Sequence, residues 1–186
     1  MESDRDKWNA KYRDRAEEVG EPDEAVGRHL DELVGTTVLD VACGDGRNAL
    51  FLAEHGFEVT GVDISEVGLE RMQQFAADRG VEVEALRRDL DRPEALAECG
   101  RYDNVVITRY KPPEVFWAGV GDLIRADGVL LVSTYNLHQH REHGFPERYC
   151  LEPDELVDVS DALECVHYES SEEPRQYTDS YIFRRK

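Results

Sequence analysis

The chain has little lysine. Only Lys7, Lys11, Lys111 and Lys186 occur, and the twenty-two basic residues face forty-one acidic ones, for a net charge of −19. The acidic residues are spread over the whole length. A phosphate backbone is therefore not an expected partner, because binding one needs a basic surface. Cysteine is scarce as well: Cys43, Cys99, Cys150 and Cys165 include no Cys-x-x-Cys pair, which excludes a zinc ribbon or a dithiol redox motif. They read as small buried residues in a reducing compartment. No run of about eighteen apolar residues exists, so no membrane span is expected. The start, Met1-Glu2-Ser3-Asp4-Arg5-Asp6, lacks the apolar stretch of a signal peptide, which points to the cytoplasm. Internal repeats and low-complexity segments are absent too. What is there is 186 residues, the size of one ordinary domain.

Residues 1–33 read as a polar, helical N-terminal segment, and residues 34–186 as the main domain. From Gly35 onward short apolar runs alternate with longer amphipathic ones. Thr36–Val41, Phe57–Val62, Val81–Leu86, Asn104–Thr108 and Val129–Tyr135 read as five strands. Arg47–His55 reads as a helix stopped by Gly56. Ser65 can cap another, with Leu69, Met72 and Ala76 on one face and Gly80 at its end. Val115–Ile124 reads as a third helix, Asp127-Gly128 as a turn and Pro153–Val159 as a short helix. Alternation of this kind implies right-handed βαβ units and a doubly wound parallel sheet. The last two strand-like runs, Leu163–Tyr168 and Tyr177–Arg184, are joined by a loop too short for a parallel crossover. They should form an antiparallel edge.

The informative segment is Val38-Leu39-Asp40-Val41-Ala42-Cys43-Gly44-Asp45-Gly46-Arg47-Asn48. A strand enters a glycine turn and leaves as a helix, whose free N–H groups can bind a carboxylate. Strand 2 ends in Asp63, seventeen residues after Gly46, where a carboxylate can accept both ribose hydroxyls of a nucleoside. Asp89, in Arg88-Asp89-Leu90 after strand 3, can reach an adenine edge. Gly44-Asp45-Gly46-Arg47-Asn48-Ala49 also satisfies the dinucleotide fingerprint G-x-G-x-x-A. However, Asp40 and Asp45 would repel a pyrophosphate, whereas the sulfonium and ammonium of S-adenosylmethionine would be attracted. An oxidoreductase using a dinucleotide stays open as the alternative.

With its acidic position after strand 2, this loop resembles the first motif of class I S-adenosylmethionine-dependent methyltransferases, though Ala42 stands where many of them have glycine. The Gly-Arg-Asn continuation is similar to the tellurite-resistance-type branch and its thiopurine-methyltransferase-like relatives. Arg101-Tyr102-Asp103, Gly144-Phe145-Pro146 and Glu152-Pro153-Asp154-Glu155-Leu156 extend the resemblance over residues 34–186. It implies a Rossmann-like α/β/α fold in three layers, with a mostly parallel seven-stranded sheet and an antiparallel last strand. It also implies adenosylmethionine as cofactor and methyl transfer to a small-molecule acceptor; a non-catalytic adenosylmethionine-binding module is the other reading. The candidate cofactor residues are Asp40, Ala42, Cys43, Gly44, Gly46, Asn48, Asp63, Ile64, Asp89, Leu90 and Thr108, with Trp8 and Tyr12 as a lid.

Methyl transfer asks mainly for positioning and desolvation, and for a base only when the acceptor arrives protonated. Arg109 and Tyr110, after strand 4, are the acceptor-facing candidates. A cation beside a sulfonium is unfavourable unless an anion lies between them, so Arg109 points to an acceptor that is anionic or develops negative charge. His138-Gln139-His140-Arg141-Glu142-His143 approaches the H-x-H-x-D-H spacing of metallo-β-lactamase-type hydrolases. Only His29, His55 and His167 could complete such a site, so no metal is expected and Asn136–Tyr149 reads as a loop closing over the acceptor. Oligomeric state leaves no mark in the sequence.

An acid-rich, lysine-poor composition resembles that of proteins from salt-loving organisms. At 0.1 M salt the Debye length is about 10 Å, and like charges repel; at 1 M it is about 3 Å, and they are screened. The melting temperature is therefore expected to rise as KCl goes from about 0.1 M to above 1 M. A flat or falling series contradicts this reading.

Overall fold

The structure, a computed structural model, describes residues 2–92, 95, 97–172 and 177–186. Seven strands form one sheet: β1 (Thr37–Val41), β2 (Glu58–Asp63), β3 (Val83–Arg87), β4 (Tyr102–Thr108), β5 (Ile124–Tyr135), β6 (Leu163–Ser170) and β7 (Thr178–Arg185). Their order is β3-β2-β1-β4-β5-β7-β6. The first five are parallel, and β7 pairs antiparallel with both β5 and β6. The expected Rossmann-like sheet is present, and the last two strands form its antiparallel edge, with β7 between β5 and β6.

Side chains alternate across this sheet and split the core in two. Leu39, Val105, Ile107, Leu130 and Val132 pack with Phe116 and Trp117 on one face. Val38, Val106, Val129 and Leu131 pack with Leu50, Leu52, Leu69 and Met72 on the other. The sheet is thus sandwiched between helices, as the near-continuous apolar runs require. On the second face lie α3 (Arg47–Glu54) and α4 (Glu66–Arg79), after the N-terminal α1 (Glu2–Arg13) and α2 (Glu24–Arg28). Ser65 caps α4 through the Gly68 amide, and Gly80 ends it in a left-handed conformation. The helix α5 (Glu114–Gly119) covers the first face, and α6 (Leu137–His143) follows β5.

Three local expectations need correcting. Residues 14–23 are not helical, so the N-terminal segment is two α-helices joined by a link of turn, bends and irregular chain. The helix expected over Val115–Ile124 ends at Gly119, passes through a tight 3-10 turn, and gives way at Ile124 to β5. That strand runs on through Asp127-Gly128, where Asp127 is left-handed and the pairing with β4 shifts register. Over Pro153–Val159 there is a chain of turns, not a helix. Asp154 has φ 60°, and the amides of Glu155, Val157 and Val159 reach back three residues. A left-handed residue cannot continue an α-helix.

Asp103 and Asn104, side by side on β4, fasten the entry into β1. Asn104 is fully buried; it donates to the carbonyls of Val34 and Thr37 and accepts from the Val34 amide. Asp103 accepts from the amides of Thr36 and Thr37, from the Thr37 hydroxyl and from Arg125. Those donors, the Thr36 amide first, hold its carboxyl well below the usual carboxylate range. A depressed pKa contributes stability above the unfolded-state value of about 3.9, lost as pH falls towards the folded value. Asp103→Asn is therefore expected to lower unfolding free energy by about 1 kcal/mol or more at pH 7. In urea melts, the gap between variant and wild type should close as pH falls below about 4. A gap of constant size would contradict the assignment.

Candidate functional site

The loops after β1, β2 and β3 emerge at one end of the parallel sheet, beside those after β4 and β5. Open α/β sheets bind ligands at the carboxyl ends of their strands. Here Asp63 sits 7% exposed at the end of β2. One carboxylate oxygen accepts from the Gly44 amide at 2.9 Å and the other from the Ser65 amide at 2.8 Å. The side chain therefore fixes the glycine turn and opens α4 at once. Burial raises its pKa, and the Ser65 and Gly44 amides oppose that rise.

The turn itself is tight. Gly44 and Gly46 are left-handed at φ 60° and 88°, and Ala42 shares that region at 55°. An alanine there is strained where a glycine would not be, which gives the departure at Ala42 a physical cost. A Cβ on Gly44 would fall on the Tyr12 hydroxyl, and one on Gly46 on Met72. Burial raises the Cys43 thiol well above its usual range, so it is an inert spacer.

Asp40, on β1, is 1% exposed, and neither of its oxygens has a hydrogen-bond partner. Burial pushes its pKa up to about 7; Arg47 and the Ala49 amide oppose this, the latter approaching without hydrogen-bond geometry. A buried carboxylate without a partner is costly, and a bound cation would relieve it. Asp45 behaves differently. Its carboxylate lies 2.8 Å from Arg15 and 3.8 Å from Arg71, so its charge is compensated within the chain. Asp45 therefore repels a pyrophosphate less than its place in the turn implies, and the repulsion falls to Asp40 and Asp63.

The N-terminal helix closes over the turn. Trp8 and Tyr12 stack with ring centroids 6.1 Å apart, and Tyr12 is buried against Gly44. Asn9 accepts from the Ser65 hydroxyl at 2.7 Å and from the Val67 amide, pinning α1 to the start of α4. Ile64 is half-buried beside Asp63, and Leu90 is buried in the core. Asp89 accepts from the Asp91 amide and pairs with Arg92 at 3.4 Å, within its own turn.

Asn48 and Thr108 belong to a network that the sequence did not disclose. Asn48 donates to the Thr108 hydroxyl at 2.7 Å and accepts from the Asp23 amide at 2.8 Å. The Asp23 carboxylate caps α2 and receives Arg47 at 3.2 Å and Arg109 at 2.7 Å. Arg109 is itself left-handed at φ 55°, and its guanidinium lies over Tyr135, 4.9 Å from the ring centroid. Arg109 thus shares the one Asp23 carboxylate with Arg47. The sequence held one signal for this hub: an aspartate directly before Glu24 is a helix cap. Nothing local marked its two arginine partners. Tyr110 is half-buried, and burial raises its hydroxyl's pKa, helped by Asp91, Asp89 and Asp63.

The segment after β5 is helical where a loop was expected. Asn136 caps α6 and donates to Asp179, which also accepts from Ser170 and Tyr168. Of the three histidines of α6, His138 pairs with Glu172 at 3.2 Å and stacks on Tyr177, His140 contacts the Phe145 carbonyl, and His143 also packs on Tyr177.

Residues 38–125 match the model of a methyltransferase domain family. The ubiquinone biosynthesis O-methyltransferase of Rickettsia canadensis (strain McKiel) is 29% identical over 117 residues, 61% of this chain and 48% of that protein. Among solved structures, magnesium protoporphyrin IX methyltransferase from Synechocystis PCC 6803 with bound SAH has a TM-score of 0.76 at 19% identity, covering 100% of this chain and 99% of that one. TehB from Haemophilus influenzae has a TM-score of 0.72 at 18% identity, covering 98% and 67%. At such identities these two structures establish the fold. The chain spans about half the length of the curated relatives it matches. Strand order and glycine turn thus give this chain the fold of class I S-adenosylmethionine-dependent methyltransferases, and residues 38–125 match a methyltransferase domain.

Proposed function

We propose that the protein moves the methyl group of S-adenosylmethionine to a small-molecule acceptor. The observation that carries this reading is the pair of buried carboxylates, Asp40 and Asp63, at the mouth of the glycine turn. One lacks a hydrogen-bond partner, and the other retains lone pairs beyond its two amide bonds. This fits a ligand with a cationic amino-acid end and a ribose diol, and disfavours a pyrophosphate. When bound, the cofactor would supply a carbon strongly activated by its sulfonium.

The chain's own residues would bind, orient and exclude water. Asp63 would accept from the ribose hydroxyls, with Ile64 and Leu90 against the base and Asp89 at its edge. Asp40 would face the ammonium, and the turn Ala42–Gly46 would pass beneath the methionine part. Trp8 and Tyr12 would close the crevice. Tyr12 lies on Gly44, so entry requires α1 to shift. At the acceptor side, Arg109 and Tyr110 would position the nucleophile. An anionic acceptor would compete with Asp23 for the Arg109 guanidinium, so this cation suits an acceptor that becomes negative by losing its proton to solvent water before it attacks better than one that binds as a strong anion. No side chain is assigned as base, in keeping with catalysis by positioning. Among the described residues no helix is long and apolar enough to cross a membrane. We further infer a cytoplasmic enzyme; the net charge of −19 supports a high-salt setting with no nucleic-acid partner.

Asp63→Ala is expected to weaken adenosylmethionine binding by about 2–3 kcal/mol in calorimetry, because it leaves polar groups of ligand and turn unpaired. NAD and NADP should give no heat with either protein. Unchanged affinity in the variant contradicts the assignment. Binding without turnover on a broad set of small nucleophiles would instead favour a non-catalytic binding module.

A further inference from the structure

The outer strand β6 and the end of α2 bring together three side chains outside the candidate site. His167 and Glu169 are two apart on β6 and so point to one face. His29, the residue that ends α2, meets them there, with its ring centroid 5.0 Å from that of His167. One ligand atom from each of His29, His167 and Glu169 lies within 4.8 Å of the others. The Nε2 atom of His29 is buried and has no hydrogen-bond partner.

We propose that His29, His167 and Glu169 form a site for a divalent transition cation of the zinc type. Two imidazoles and a carboxylate are a donor set that zinc, nickel and copper accept. Ligands about 2.1 Å from a tetrahedral ion stand about 3.4 Å apart. The three atoms therefore need to draw in by about an ångström. His167 is exposed and Glu169 half-buried, and side-chain rotation can supply that movement. Glu169 now accepts from Arg28 at 2.5 Å, but Arg28 also holds Glu24 at 2.6 Å and keeps that partner when Glu169 turns to the ion. An ion here would clip α2 to the sheet edge. The same short helix carries Asp23, the residue that holds Arg47 and Arg109, so the clip would brace one wall of the crevice.

The test uses the full chain freed of metal by chelation and titrated with zinc ion alone against a chromophoric competitor. One equivalent is expected to bind with a dissociation constant of about 10 μM or tighter, and the melting temperature should rise with zinc. His167→Ala, a change at an exposed position, should weaken binding by at least about tenfold while its metal-free melt matches that of the wild type. Glu169→Gln should weaken it as well, with its metal-free melt recording any loss of the Arg28 pair. Absence of zinc binding by the wild type below about 1 mM overturns the proposal. So does binding that survives His167→Ala but is lost in a His138→Ala, His143→Ala variant of α6.

Discussion

The two amide bonds to Asp63 are the constraint on which the rest of the site depends. The Gly44 amide belongs to the turn after β1, and the Ser65 amide opens α4 after β2. One carboxylate therefore sets the distance between two loops that different strands deliver. Its burial is what makes the bonds strong, and it is also why the carboxyl sits above its ordinary range. The neighbouring Asp40 has the burial without the bonds. The site thus holds negative charge that the protein itself does not fully balance. A structure of this kind stores an affinity for a cation, and that links the fold to the chemistry.

Arginines held by other carboxylates surround this pair. Arg15 and Arg71 compensate Asp45, which ties the N-terminal segment to the turn. Asp23 gathers Arg47 and Arg109, which ties α2 to the start of α3 and the end of β4. With so few lysines, these fixed, planar arginine contacts are the means by which the acidic chain holds its own loops. The N-terminal 33 residues are therefore part of the site: Asn9, Tyr12, Arg15 and Asp23 each touch the loops at the sheet's carboxyl end or the helices that open from them.

Much of this was legible in the sequence. The five parallel strands, the glycine turn, the cap at Ser65 and the acidic residue ending β2 are local patterns, and local patterns survive folding. Other features were not legible, each for a physical reason. The hub at Asp23 joins residues 24 and 86 positions apart in the chain, and no periodicity records such a contact. The turns over residues 153–159 arise because Asp154 takes a left-handed conformation, a choice that packing of Leu156 into the core can impose on a helix-like run. The order of the last two strands depends on which of them takes the free edge of β5, a long-range choice that neither run records. The Gly-Arg-Asn run, read for its family resemblance, contributes one ion-pair partner and one buried amide that hold neighbouring segments together.

The most direct measurement is native mass spectrometry of the full chain incubated with an equimolar mixture of adenosylmethionine, NAD and NADP. The account requires a single added mass of one adenosylmethionine, because only that ligand brings positive charge to Asp40 and a diol to Asp63 without a pyrophosphate. A chain that carries a dinucleotide from the same mixture, or carries none of the three, would contradict it.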